Sequence, residues 1–185
     1  GDRDCDSRVT RPVFVKLASD NALFRFLKQI GYKFYFVSAA DAGFDSLPQA
    51  DRVFHGAPLN DLILTFASNS PLRFVDYLIP LITEPSRKAA SAVFDLIDQI
   101  VASPGPKLVF MHVNLPHPPY LFAPDGKRSK YPPIDYYGEA WALKEGYVDQ
   151  VRYIEKRLVP TLQTILKNST TPPVIIVQGD HGPAP

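Results

Sequence analysis

The sequence predicts an α/β fold, three αβα layers around a mainly parallel sheet. Three observations carry this reading. Lys33 to Ser38, Leu108 to Val113 and Val174 to Val177 are short, nearly continuous runs of β-branched and aromatic residues. Such runs belong to strands covered on both faces, as in parallel sheets; one-sided strands alternate apolar with polar residues. Helical stripes with apolar steps of three and four separate them, and alternating helices and buried strands build layered sheets. Finally, the second and third runs lead directly into loops that carry histidine, and working residues of open α/β sheets sit beyond the carboxyl ends of strands.

Taken in order, residues 1 to 19 are poorly defined: Val13, Val15 and Leu17 alternate, and helix or strand is open. Asp20 is the expected N-cap of a helix whose stripe is Leu23, Phe24, Phe26, Leu27 and Ile30, with Gly31 in the C-cap position. The strand Lys33 to Ser38 follows, then a short strand at Asp51 to Phe54. Leu59 to Ala67 and Pro71 to Ile82 read as short helices, the second capped by Ser70 and disturbed near its end by Pro80. Ser86 to Val101 places Ala89, Ala90, Val93, Phe94, Ile97, Ile100 and Val101 on one helical face, and Pro104-Gly105-Pro106 ends it. After the strand Leu108 to Val113, residues 122 to 137 are rich in Pro, Tyr and Lys and read as a surface loop or lid. A long helix from about Glu139 to Lys167 carries Tyr147, Val151, Ile154, Leu158, Leu162 and Ile165; Pro160 either kinks it or opens a second helix. Val174 to Val177 is the expected final strand.

At 185 residues and 45% hydrophobic content the chain reads as one domain with one core. A net charge of +1 supplies no electrostatic attraction for nucleic acid or an anionic membrane. The 19 prolines cluster in loops, and the apolar content is too high for a disordered chain. Cys5 has no second cysteine to pair with and lacks the basic surroundings of an activated thiol. No run of about eighteen apolar residues exists, and Gly1-Asp2-Arg3-Asp4 does not read as a signal peptide. Asn168-Ser169-Thr170 matches the N-glycosylation pattern, a short motif that arises often by chance. His55 reads as a turn residue, and Trp141 with Tyr136 and Tyr137 as helix packing or the wall of a groove.

Two loops carry chemistry. In His112-Val113-Asn114-Leu115-Pro116-His117-Pro118-Pro119-Tyr120, prolines flank His117 and restrict where its imidazole points. Such a histidine can bind an anionic oxygen or a metal; the plainer alternative is a side chain that caps backbone groups. His112, inside the strand, reads first as a hydrogen-bonded core histidine. The other loop is Gly179-Asp180-His181-Gly182, where a carboxylate and an imidazole follow a strand between two glycines that let the backbone turn sharply. Asp180 and His181 are suited to a divalent metal, Zn or Mn more than Ca, but a complete Zn site needs three or four ligands. Right-handed crossovers would bring both loops to one edge of the sheet.

At these loops the chain resembles the sulfatase-like branch of the alkaline phosphatase superfamily, which includes sulfatases, phosphoethanolamine transferases and lipoteichoic acid synthases. Gly179-Asp180-His181-Gly182 after its strand is similar to the late metal motif of that branch. His112 to Tyr120 is similar to the His-x4-His-x-Pro segment of phosphoethanolamine transferases, and Leu23 to Val37 to the helix and strand that follow the nucleophile. The three in this order most resemble bacterial membrane proteins described as sulfatase-like hydrolase/transferase, over residues from about 20 to the end. The resemblance implies an incomplete alkaline-phosphatase-like fold, with Asp180 and His181 as ligands of one divalent metal. It implies that His117 contacts the phosphoryl or sulfuryl group or its leaving oxygen, and that His112 supports the metal shell. The family's nucleophile and early acidic ligand have no match in residues 1 to 19, where Cys5-Asp6-Ser7-Arg8 departs from the sulfatase Cys-x-Pro-x-Arg signature. The expectation is therefore a single partial catalytic domain, truncated at both ends and inactive alone.

The parent protein is expected to hydrolyse or transfer a phosphate or sulfate ester, on a lipid headgroup or a glycan, through a covalent intermediate on an upstream hydroxyl. By resemblance it would sit on the extracytoplasmic face of a bacterial inner membrane, behind transmembrane segments outside this sequence. The alternative is a non-catalytic α/β domain that binds an anionic headgroup or glycan.

Overall fold

The computed structural model describes Lys16 and residues 20–39, 47–55, 78–131 and 143–179. Among these, α1 (Ala22–Gln29), β1 (Lys33–Ser38), β2 (Arg52–His55), α2 (Leu78–Ala102), β3 (Lys107–His112) and α3 (Lys144–Asn168) follow in order. The three strands form a parallel sheet in the order β2-β1-β3, with Tyr35 opposite Arg52 on one side and Val109 on the other. The chain is thus α/β, and the strands at 33–38, 52–55 and 107–112 stand within a residue of where the sequence puts them.

β1 is central, and residues 34–38 are buried to a side chain. Its side chains alternate between two cores. Phe34 and Phe36 meet Phe24 of α1 and Leu108 of β3 on one face. Tyr35 and Val37 join Ala90, Val93, Phe94 and Ile100 of α2 and Tyr153 of α3 on the other. Full burial of a Phe or Val side chain stabilises by about 1.5–3 kcal/mol, so this double coverage explains why β1 carries no polar residue between Phe34 and Val37. Arg157 of α3 ties the two long helices together. It donates to the Ser91 carbonyl at 3.2 Å and to Asp95 Oδ1 at 2.5 Å, and lies over the Phe94 ring.

Asp51 sets the start of the β1–β2 pairing. Its carboxylate accepts the Phe34 N–H at 2.7 Å and the Lys28 ammonium at 3.0 Å, while its own N–H donates to the Phe34 carbonyl. The turn from α1 into β1 satisfies the last helical carbonyls in a Schellman arrangement. Tyr32 N–H reaches the Leu27 carbonyl and Gly31 N–H the Lys28 carbonyl, with Gly31 at φ +92°.

Several expectations are corrected. The N-cap of α1 is Asn21, whose side chain accepts the Phe24 N–H at 3.1 Å; Asp20 instead pairs with Arg25 and Gln49. The apolar stripe of α1 is only partly used, because an eight-residue helix over a narrow sheet offers Phe24 to Phe34 and leaves Leu23, Phe26 and Ile30 more than half exposed. α2 starts at Leu78 and runs on through Pro85, so the stretch before Ser86 belongs to the same helix. Pro80 falls in its first turn, where a missing N–H removes no helical bond. α3 likewise runs through Pro160 as one helix. His55 ends β2, opposite Ser38. The expected excursion at 122–137 begins in the core: Phe122 is 2% exposed and stacks on Tyr153 at 4.0 Å, and the chain turns at 123–127 before Arg128 bridges back to Phe122. The expected helix 59–67, most of 71–82, and Tyr136, Tyr137 and Trp141 lie outside the described residues.

The largest correction concerns the end of the chain. Residues 172–179 form no strand and pair with none among the described residues, and Val174 is 90% and Ile176 79% exposed. β-branched residues favour an extended backbone, but a strand exists only where a ladder partner meets it. β3, with Phe110 42% exposed, is correspondingly an edge of the described sheet.

Two predictions follow from this packing. A Cβ on Gly146 of α3 would stand 2.7 Å from the Tyr120 ring and 3.0 Å from that of Tyr131. Gly146→Ala should therefore lower stability by up to about 2 kcal/mol in urea unfolding, since overpacking of about 1–3 kcal/mol outweighs the gain of about 1 kcal/mol in helix propensity. The Phe34 N–H and, after it, the Lys28 ammonium hold the Asp51 carboxyl below its ordinary value of 3.8. A carboxyl with a depressed folded value stabilises above the ordinary range and loses that contribution as pH falls through the folded value. Asp51→Asn should cost about 1 kcal/mol at pH 7, and the gap to the wild type should close below about pH 4 in pH-resolved denaturation.

Candidate functional site

The loop after β3 is built from prolines and pinned by one amide. Leu115-Pro116 and Pro118-Pro119 are cis peptide bonds, and residues 114–119 wrap over the carboxyl end of the sheet. Gln150 of α3 is fully buried. Its side-chain oxygen accepts the N–H of Leu121 at 2.7 Å and that of Phe122 at 3.4 Å, and its amide nitrogen donates to the His117 carbonyl at 3.1 Å. Both ends of the loop are thus tied to one helix. Gly146, one turn earlier, lets the Tyr120 ring lie against the same helix. Burial, then the neighbouring Tyr147, pushes the Tyr120 phenol up, so it stays protonated at neutral pH.

His117 is exposed, and its Nδ1 lies 2.6 Å from the Pro118 carbonyl oxygen. A carbonyl only accepts, so Nδ1 carries the proton. In the neutral ring Nε2 is then the nitrogen with the lone pair, and the Pro118 contact sets the tautomer and the ring's direction.

Between this loop and α2 lies a cleft of about 30 Å³. Ala39, Ala90 and Leu121 form apolar walls; Ser86, Asn114 and His117 are its polar groups. Ala39 follows β1, and Asn114 and His117 follow β3. The cleft therefore opens at the carboxyl ends of β1 and β3, where the strand order β2-β1-β3 reverses direction. Ligands of open α/β sheets bind at such a reversal, because the connections leave to opposite sides and part there.

The expected site residues fare differently. His117 stands at this edge, in the cleft. His112 ends β3, its carbonyl accepting the Ala39 N–H at 3.1 Å. Strand alternation puts it on the side of Leu108 and Phe110, away from the α2 face on which the cleft opens. It does not line the cleft. Asp180 and His181 lie outside the described residues. Among the described residues no three His, Cys, Asp or Glu side chains come together as metal ligands. The cleft's own donors, one imidazole with a hydroxyl and an amide, do not make up a Zn or Mn site by themselves. No described helix is long and apolar enough to cross a membrane.

Gln150 and Ser86 were not expected. Gln150 left a readable signal: it falls three residues after Tyr147 and four before Ile154, a polar residue inside an apolar stripe. Ser86 left none, since a serine at an expected helix start reads as an ordinary cap. Comparison with protein-family models, curated proteins and solved structures returns no match for this chain.

Gln150→Leu should cost about 2 kcal/mol, because the buried Leu121 N–H is left without a partner. Hydrogen exchange should show the amides of Leu121 and Phe122 losing protection before those of β1.

Proposed function

We propose that this chain is part of a catalytic domain of the sulfatase-like branch of the alkaline phosphatase superfamily, acting on phosphate or sulfate esters. The observation that carries the reading is the position of His117, exposed with its tautomer set, in a cleft at the reversal point of a parallel sheet. A hydroxyl upstream of this sequence attacks the phosphorus or sulfur, and the ester oxygen departs and takes up a proton. His117 Nε2 meets the transferring group, and in its protonated form donates to the departing oxygen. Asp180 and His181 would hold Zn or Mn, which when bound supplies Lewis acidity, and His112 would support the metal shell. The parent is anchored at the extracytoplasmic face of a bacterial inner membrane.

The reading requires Val174 to Val177 to add to the free edge of β3. A β3–α3–strand crossover on the α2 side would have the same hand as β2–α2–β3, because α2 and α3 pack together and the step across the sheet has the same sense. Among the described residues the run and the outer edge of β3 are both without a ladder partner, which leaves each open to the other.

A second reading is a non-catalytic domain that binds an anionic headgroup or glycan. It is favoured by the absence, among the described residues of the cleft, of a nucleophile hydrogen-bonded to a base: the Ser86 hydroxyl has no such partner.

In the full-length protein, Asp180→Ala and His181→Ala should each lose bound metal, measured by elemental analysis, together with turnover of p-nitrophenyl phosphate or sulfate. His117→Ala should keep the metal and lose about 100-fold or more in turnover. Unchanged metal content in both tail variants overturns the metal assignment, and loss of metal from His117→Ala makes His117 a ligand. Anion binding with no turnover in the wild type selects the second reading.

A further inference from the structure

Ser86 stands 5% exposed in α2, directly after Pro85, and lines the cleft beside Asn114 and His117. Its hydroxyl oxygen is buried without a hydrogen-bond partner among the described residues. Three other hydroxyls on or beside the helices behave differently. Ser103 Oγ donates to the Ile100 carbonyl at 2.6 Å, Thr161 Oγ1 to Arg157 at 2.8 Å and Ser169 Oγ to Ile165 at 2.6 Å, each folded back onto the preceding turn. Ser86 forgoes that bond. A buried hydroxyl left unsatisfied costs about 1–3 kcal/mol, and native structures keep few of them without a ligand or water to complete them.

The surroundings indicate what completes this one. Among the described residues the cleft brings together the Ser86 hydroxyl and the Asn114 carboxamide, both able to donate, and the His117 imidazole, whose Nε2 donates only in the protonated ring; no described carboxylate lines it. Its volume of about 30 Å³ has room for about two oxygen-sized groups of a ligand. A negatively charged oxygen is the acceptor that gains most from such donors, since charge-assisted hydrogen bonds are about twice as strong as neutral ones.

We infer that the Ser86 hydroxyl is a hydrogen-bond donor to one oxygen of a tetrahedral oxyanion held in this cleft, beside Asn114 and His117. The inference rests on the reading of the cleft as an oxyanion site and adds to it a residue from a different element. It makes α2, and not only the loop after β3, part of the binding surface.

The test is isothermal titration of inorganic phosphate, and separately of sulfate, into the full-length protein and its Ser86→Ala variant. The variant should bind about tenfold more weakly, with metal content unchanged and a thermal midpoint equal to or above that of the wild type. A merely structural hydroxyl would lower the midpoint and leave affinity alone. Equal affinities in the two proteins overturn the role of Ser86 while leaving the oxyanion site intact; the hydroxyl then serves a bound water. A wild type that binds neither anion overturns the oxyanion reading itself, and Ser86 with it.

Discussion

The Gln150 side chain organises the edge of the sheet where chemistry can occur. A carboxamide offers both an acceptor and donors, and Gln150 spends them on two ends of one loop: the Leu121 and Phe122 N–H groups and the His117 carbonyl. A loop over the sheet cannot leave these backbone groups dry and unpaired, because each would cost as much as several apolar contacts return. Without the amide, the prolines would shape the loop but not station it. With it, the imidazole of His117 stands in a defined place relative to α2 and β1.

That station depends on packing further in. Phe122 reaches the core and stacks on Tyr153, while Arg87 of α2 donates to the Gly126 carbonyl at 2.8 Å, pairs with Glu84 and lies over the Phe122 ring. The segment that reads as a surface excursion is in its first half a clasp between the two long helices. α2 consequently has two duties. Its apolar face covers Tyr35 and Val37, and its amino-terminal half brings Ser86 and Ala90 to the cleft. One rigid element thus carries both core and wall, which keeps the cleft's dimensions tied to the stability of the sheet.

Among the described residues the cleft holds donors of hydrogen bonds and no carboxylate, and it stands at the carboxyl ends of β1 and β3. Polar groups of this kind suit an acceptor-rich anion, whether that anion reacts or is only held. Fold alone does not choose between these outcomes.

The sequence by itself determined the local periodicities. β1 was legible because its apolar run fits a strand covered on both faces, β3 because it carries a similar run although Phe110 stands exposed, and the α1 terminus because Gly31 tolerates a positive φ that other residues resist. His117 was legible as a candidate because prolines flank it just past a strand. The tertiary structure alone decided the strand order, the use of Gln150 across 29 residues of chain, the unsatisfied hydroxyl of Ser86, and the unpaired state of Val174–Val177. The physical reason is that side-chain pattern governs backbone conformation over one or two turns, whereas a hydrogen-bond partner or a ladder neighbour is supplied by a distant segment. Residues whose role is to meet such a partner carry little of it in their own neighbourhood.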